Sequence, residues 1–252
     1  MLVIPHASAA MILRFLFCVL GILALSMMPA RAQIATVASP SGPVPAGPYL
    51  AVDVATGEVL LERNAGIRWY PASLAKMMTI FIVFEELKAG RLSLAAPLAF
   101  SANARAKPAS KLVLAAGQSI TVEQGVQALV ARSANDVATA FGEQISGSEA
   151  AFAQRMTETA VRLGMTSTQF RNANGLPDEG QFTTARDMAI LAIALIRDFP
   201  QYYAYFQTQE FMLGNQRIGP GLKFLSLYAP YADGLKTGFI CASGFNIVGS
   251  AV

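Results

Sequence analysis

Two side chains with complementary chemistry stand three residues apart, Ser73 and Lys76, within Tyr70-Pro71-Ala72-Ser73-Leu74-Ala75-Lys76-Met77-Met78-Thr79-Ile80-Phe81. On a helix that spacing puts both on one face, where they can meet. Beyond Ser73 the residues are apolar nearly all the way round to Phe84, which predicts a helix buried on most faces. Burial disfavours a charged lysine. Pro71 and the Ser73 hydroxyl are helix-start signals, so the positive end of the macrodipole acts in the same sense. A neutral amine beside a serine hydroxyl is a general base beside a nucleophile. The plain alternative is a capping serine followed by a snorkelling lysine, and about one chance S-x-x-K is expected in a chain of this size.

Subtraction narrows what else could activate Ser73. Arg14 precedes the apolar run from Phe15 to Met28, and Met28-Pro29-Ala30-Arg31-Ala32 ends in an A-x-A pattern. Residues 1–32 therefore read as a secretory signal peptide released before Gln33, with Met11 as an alternative start; a run this short falls below the roughly 20 residues a membrane span needs. Its removal takes Arg14 and Arg31, and no acid, from the 19 bases and 16 acids, so the formal charge drops from +3 to +1. No basic run remains to suggest nucleic acid. The same cut removes His6, the only histidine, and Cys18, one of the two cysteines. A Ser-His-Asp or Cys-His site is then impossible. Imidazole-based zinc sites go with it, and no metal or other cofactor is implied. Cys241, alone in an oxidising compartment, has no disulfide partner and reads as a small buried residue. A serine hydrolase built from this chain must rely on a lysine or a carboxylate.

The elements that position Ser73 and Lys76 follow from local patterns. Gln33 to Pro48, with four prolines, reads as a flexible lead-in. Tyr49–Val54 and Glu58–Glu62 around Ala55-Thr56-Gly57 read as a β-hairpin, and the buried helix closes near Lys88-Ala89-Gly90. From Leu92 to about Phe206 the pattern is mostly helical. Thr121 caps a helix running through Arg132, Asp136 opens another through Ile145, and Ser148 caps a third that stops at Gly164. Thr184 with Asp187 resembles a capping box, and Arg186 and Asp187 read as helix-start electrostatics. Trp69, Tyr70, Met77, Phe81 and Phe84 read as core. Leu235–Ile240, a Cys241-to-Gly244 turn and Phe245–Ala251 form a second hairpin. The expectation is an α/β (α+β) domain over 49–252, its terminal hairpins sharing one antiparallel sheet beside a helical lobe at about 92–206.

Two further motifs fall where this architecture leaves residues exposed: Ser133-Ala134-Asn135 at an interhelical turn, and Lys236-Thr237-Gly238 on the first strand of the last hairpin. Each is weak alone, since Ser101-Ala102-Asn103 also matches the first and such triplets are usually turns or caps. In the order S-x-x-K, S-x-N, K-T-G, at intervals of 60 and 103 residues, they resemble the serine-active penicillin-binding proteins and β-lactamases. More closely, the chain resembles the D-alanyl-D-alanine carboxypeptidase family of low-molecular-weight penicillin-binding proteins, from about Tyr49 to the last residue. The likeness includes Ala131-Arg132-Ser133-Ala134-Asn135-Asp136, Thr183-Thr184-Ala185-Arg186-Asp187-Met188 and Asp233-Gly234-Leu235-Lys236-Thr237-Gly238. The 60-residue interval selects Ser133 over Ser101, which lies only 28 beyond Ser73.

The resemblance implies an exported serine-type D-Ala-D-Ala carboxypeptidase of the periplasm or the outer face of the bacterial cytoplasmic membrane. It would trim stem peptides of cell-wall peptidoglycan, a step that bears on cell shape, and be acylated by β-lactam antibiotics. Ser73 would attack the penultimate carbonyl and Lys76 would take its proton. Ser133 would relay a proton to the departing amine and Asn135 would bind the substrate amide. Lys236, as a permanent cation, would grip the terminal carboxylate with Thr237, and Gly238 would let substrate backbone approach. The oxyanion would lie between the backbone N–H groups of Ser73 and Phe239. The family continues with a further strand and C-terminal helix, often a β-rich domain and an amphipathic anchor, so the resemblance implies truncation at Val252 and the lack of an arginine near the carboxylate. The rival readings are a β-lactamase or DD-endopeptidase of the same superfamily and a non-catalytic penicillin-binding remnant. The glutamate-led loop of the best-known β-lactamases is not found: Asn172-Ala173-Asn174-Gly175-Leu176 holds no acid.

Overall fold

The computed structural model describes residues 47–219, 221 and 223–251; the signal peptide expected at 1–32 and nearly all of the lead-in expected at 33–48 lie outside the described residues. The first hairpin pairs β1 (Tyr49–Val52) with β2 (Val59–Arg63) in antiparallel register, Tyr49 opposite Arg63. The chain then enters a 3₁₀ turn, Ala72–Leu74, which runs directly into α1 (Ala75–Lys88). Every residue from Ala75 to Phe84 is buried, as the run without a polar stripe predicts. Phe81 and Phe84 meet the rings of Phe199 and Phe206, with Phe81 set edge-on to Phe199 at 5.1 Å between centroids.

A short strand β3 (Pro97–Ala99), a one-turn helix α2 (Ala102–Ala106) and β4 (Ser119–Thr121) lead into the helical lobe; β3 and β4 pair antiparallel. Three helices follow: α3 (Val122–Ala131), α4 (Asn135–Ser146) and α5 (Glu149–Leu163). Their ends lie where the capping chemistry puts them. Thr121 and Gln124 complete a capping box, Ser148 Oγ accepts from Ala151 N at 3.1 Å, and Gly147 and Gly164 close α4 and α5 at φ of +79° and +90°. Ser101 caps α2, so the second Ser-x-Asn triplet is a helix start. Helix α6 (Ala185–Asp198) is capped by Thr184, and α1 packs against α3, α4, α5 and α6. Glu86 anchors the far end of α1 through ion pairs with Arg91 and Arg155, which hold its carboxyl down at about 2.

The hairpin β5 (Phe211–Leu213) with β6 (Gln216–Ile218), and the short helix α7 (Lys223–Leu227), precede the final hairpin of β7 (Ala232–Ile240) and β8 (Gly244–Ala251). Thr237 stands opposite Ile247 and Lys236 opposite Val248.

Several expectations are corrected here. The terminal hairpins do not share a sheet: among the described residues β1–β2 and β7–β8 are separate two-stranded ladders, both packed on α6. Every residue of β2 is exposed, so no buried stripe holds the first hairpin in register with the last. Cys241 is exposed, because it sits at the tip between β7 and β8, where no element covers it. Trp69 is 37% exposed; its indole N–H donates to Ser243 O, so it ties the approach to the 3₁₀ turn to the last hairpin instead of filling the core. Asp187 does more than favour a helix start: buried, it accepts from Ser167 N and the Thr168 hydroxyl, while Arg186 reaches across to Glu62 on β2.

Candidate active site

Three elements meet the 3₁₀ turn: α1, which grows out of it, β7 and β8. Ser73 does not cap α1. No side chain caps it, and Ser73 sits in the turn one residue ahead of the N-cap Leu74, with Lys76 at the second helical position. Ala72, just before Ser73, is held at φ +49°, and Ser133 at φ +55°. Both are non-glycine residues in the left-handed region, which costs each about 1–2 kcal/mol and is tolerated where packing over-determines the backbone.

Lys76 is fully buried, and its Nζ has three neighbours: Ser73 Oγ at 3.1 Å, Asn135 Oδ1 at 2.8 Å and the carbonyl of Asn174 at 2.5 Å. Two of these can only accept. The Asn135 amide is oriented by its Nδ2, which donates to Pro108 O at 3.0 Å, so Oδ1 is the atom facing Lys76. A neutral amine has two hydrogens and one lone pair. Charged, Lys76 donates to Ser73 Oγ as well; in the neutral form, with its hydrogens taken by Asn135 Oδ1 and Asn174 O, the lone pair is left for the Ser73 hydroxyl, which then donates to Lys76. Burial pushes the Lys76 pKa well below the ordinary lysine value, the charge of Lys236 pushes it further, and Asp136 works in the opposite sense. The arrangement is a hydroxyl aimed at a base, with its protonation state set by desolvation and a like charge.

β7 supplies Lys236, Thr237, Gly238 and Phe239. Lys236 is 1% exposed and donates to Thr237 O at 2.8 Å. Burial brings its pKa down to about 7, so it is not the permanent cation expected from the sequence. Gly238 serves the protein before any substrate. A Cβ there would stand 3.0 Å from Ser73 N and 3.3 Å from the Ala72 Cβ, so the bare strand lies directly on the nucleophile turn. Thr237 and Phe239, on either side of it, are exposed.

Ser133 Oγ is the one buried side-chain nitrogen or oxygen among the described residues that lacks a hydrogen-bond partner. An orphaned buried hydroxyl in a native site calls for a reason, and here it lies two residues from Asn135 on the strained loop. Asn135, expected to meet substrate, has both polar ends engaged within the protein, on Lys76 and on Pro108.

The loop at 172–176, noted in the sequence for holding no acid, belongs to the site. Gly175 (φ +85°) presses on the turn so closely that a Cβ would stand 1.8 Å from Ala72 O. The Thr79 hydroxyl donates to Ala173 O at 2.6 Å, and Lys76 binds the next carbonyl, that of Asn174. The sequence marked this loop only by its lack of an acid; nothing local said that its carbonyls face α1.

Comparison with known proteins identifies the family. A family model described as D-alanyl-D-alanine carboxypeptidase matches residues 34–252. The chain is 36% identical over 222 residues to D-alanyl-D-alanine carboxypeptidase DacC of Escherichia coli, covering 86% of this chain and 55% of that one. With DacF of Bacillus subtilis the identity is 31%, over 78% of this chain and 51% of that one. The chain thus spans about half the length of the curated relatives it matches. Among solved structures, penicillin binding protein 5 from Haemophilus influenzae superposes with a TM-score of 0.77 at 30% identity, covering 83% of this chain and 63% of that one. Penicillin-Binding Protein D2 from Listeria monocytogenes, in its ampicillin-bound form, gives 0.71 at 29%, covering 81% and 82%.

Proposed function

This chain belongs to the D-alanyl-D-alanine carboxypeptidase family, and from that premise we propose that it is a serine-type D-Ala-D-Ala carboxypeptidase acting on peptidoglycan stem peptides and acylated by penicillins. The observation that carries the reading is the Ser73–Lys76 pair, 3.1 Å apart, with the amine buried and both its other contacts acceptors.

In the first half-reaction the Ser73 proton passes to Lys76 as Oγ bonds to the penultimate D-alanyl carbonyl. The carbonyl oxygen gains the charge, toward the backbone N–H groups of Ser73 and Phe239. The C–N bond then breaks. The proton on Lys76 reaches the departing amine through Ser133, the hydroxyl without a partner among the described residues, and terminal D-alanine leaves. Water attacks the resulting ester by the reverse relay, returning Ser73. Lys236 and Thr237 hold the terminal carboxylate, and Gly238 keeps β7 against the turn so that nucleophile and carboxylate site stay in register. Asn135 holds the Lys76 amine in place and offers its remaining N–H to the substrate amide. The leader pattern at 1–32 supports export to the periplasm or the outer face of the cytoplasmic membrane.

The test is mass spectrometry after exposure to a labelled penicillin, followed by assay of D-alanine release from a peptide ending in D-Ala-D-Ala. The expected result is one adduct on the Ser73 peptide and measurable release, both abolished by Ser73→Ala. Absence of an adduct would overturn the acylation mechanism; an adduct without release would restrict the protein to penicillin binding. Rapid penicillin turnover, many molecules per second, would make it a β-lactamase instead.

A further inference from the structure

The Lys76 lone pair points at Ser73 only while the Asn174 carbonyl holds one of the amine hydrogens, so whatever fixes Asn174 fixes the base. Its carbonyl belongs to a loop with no regular structure, yet Asn174 is 1% exposed and its side chain is tied down at both ends. Oδ1 accepts from Leu176 N at 2.9 Å. Nδ2 donates to the Thr139 hydroxyl on α4 and to Glu149 Oε1 on α5, each at 3.0 Å. The Thr139 hydroxyl donates onward to the same Glu149 oxygen, also at 3.0 Å. A carboxylate only accepts, so the orientation of the Asn174 amide follows without ambiguity. The other Glu149 oxygen pairs with Lys107 at 2.6 Å and receives Asn103 Nδ2 at 3.5 Å. Glu149 is the first residue of α5, where an acid ordinarily favours the helix dipole from the surface; here it turns inward.

We propose that Glu149 is a positioning residue for acylation, acting through Thr139 and Asn174 to hold the carbonyl that aims the Lys76 lone pair at Ser73. The inference rests on the Ser73–Lys76 reading above. Glu149 touches neither nucleophile nor base; its effect is geometric, and misplacement of a reacting group by about 1 Å costs on the order of 10²-fold in rate. Removing it therefore slows the acylation step and leaves the reversible binding of penicillin, set by β7, in place.

The experiment measures, for a labelled penicillin, the dissociation constant of the reversible complex and the acylation rate constant separately. It compares the unaltered chain with Glu149→Ala, Asn174→Ala and their combination, with thermal melts alongside. Expected is a fall of about 10- to 100-fold in the acylation rate of Glu149→Ala with the dissociation constant within twofold. The double variant should be no slower than Asn174→Ala, and Glu149→Gln, which keeps an oxygen for Thr139 and Asn174, should recover most of the rate. An unchanged acylation rate in Glu149→Ala, or effects of the two single variants that multiply, would overturn the inference. Should Glu149→Ala not fold, Glu149→Asp keeps the charge but draws the carboxylate back by one methylene from both Asn174 and Thr139: slowed acylation supports the role and an unaltered rate refutes it. Failure of the unaltered chain to become acylated at all refutes the parent reading instead, so the two can be told apart.

Discussion

Lys236 lies close enough to Lys76 for its charge to add to the depression of the Lys76 pKa that burial begins, so two amines in one site set opposite limits on its working pH. Lys76 acts as a base only when neutral, so the rate falls as pH drops through its pKa. Lys236 grips a carboxylate only when charged, so binding weakens as pH rises through about 7 in the free protein. The expected kcat/KM profile for a D-Ala-D-Ala peptide is a bell whose alkaline limb reports Lys236. Repeating the profile with the peptide methyl ester should remove that limb and keep the acid one. An alkaline limb that survives esterification would assign it to another group.

Lys236 also ties function to stability. Its folded pKa, about 7, lies below the roughly 10.4 of an unfolded lysine. Between those values the unfolded chain carries a proton that the folded one has released, so stability climbs with pH through that window, and the full penalty applies below about 7. Lys236→Met removes the penalty. It should abolish carboxylate-dependent binding while raising the melting midpoint, by roughly 2–4 °C for each 1 kcal/mol recovered, with a larger gain at pH 6 than at pH 10. Melting curves at the two pH values check the sign; equal gains at both would mean that packing, not charge, is responsible.

Gly175 and Gly164 both have positive φ, but only one is hemmed in. A Cβ at Gly175 would stand 1.8 Å from Ala72 O, backbone that cannot swing away, whereas at Gly164 it meets nothing within 4 Å. Gly164→Ala should cost about 1–2 kcal/mol of stability and leave acylation unaltered. Gly175→Ala must displace either the nucleophile turn or the carbonyls of 173 and 174, so acylation should fall by on the order of 10²-fold or more. Penicillin labelling rates of the two variants, beside their urea midpoints, separate strain from misplacement.

The contrast marks how far the sequence can be read. Ser73 and Lys76 were legible as a pair, and Ser133 and Lys236 as candidates, because each is a chemically distinctive side chain in a short motif; the helix ends at Thr121, Ser148, Gly164 and Thr184 were legible because capping is local. Of Gly175 and Asn174 the sequence showed only that their loop holds no acid. Their part in the site is played by backbone atoms, and the identity of a residue says little about where its carbonyl points. Lys236 was misjudged for a related reason: its charge state depends on burial between β7 and the nucleophile turn, which no local pattern reports. The separate hairpins and the exposed Cys241 likewise depend on which elements come to cover them. Asp136 was read only as a helix opener, although its side chain is buried and bears on the base.

Asp136 and Lys236 should move the acid limb in opposite directions. The Lys76 amine faces two charged groups: Lys236 from β7, which lowers its pKa, and Asp136 from α4, which raises it; Ser73, Asn135 and the Asn174 carbonyl complete its surroundings without charge. Asp136 is buried, and its oxygens accept from Leu112 N and Val137 N at 2.9 Å each. Burial raises its own pKa against those hydrogen bonds. Asp136→Asn keeps the shape and removes the charge, so Lys76 holds its proton less well and the acid limb of penicillin acylation moves to lower pH. Lys236→Met removes the opposing charge and moves the same limb to higher pH. The amide also leaves one N–H without its carboxylate acceptor, so a loss of about 1–3 kcal/mol in stability accompanies the first variant. Acylation rates across the pH range, scaled to each variant's plateau, decide the matter: limbs that shift together, or not at all, would show that Asp136 merely clamps the segment around Leu112 and does not tune the base.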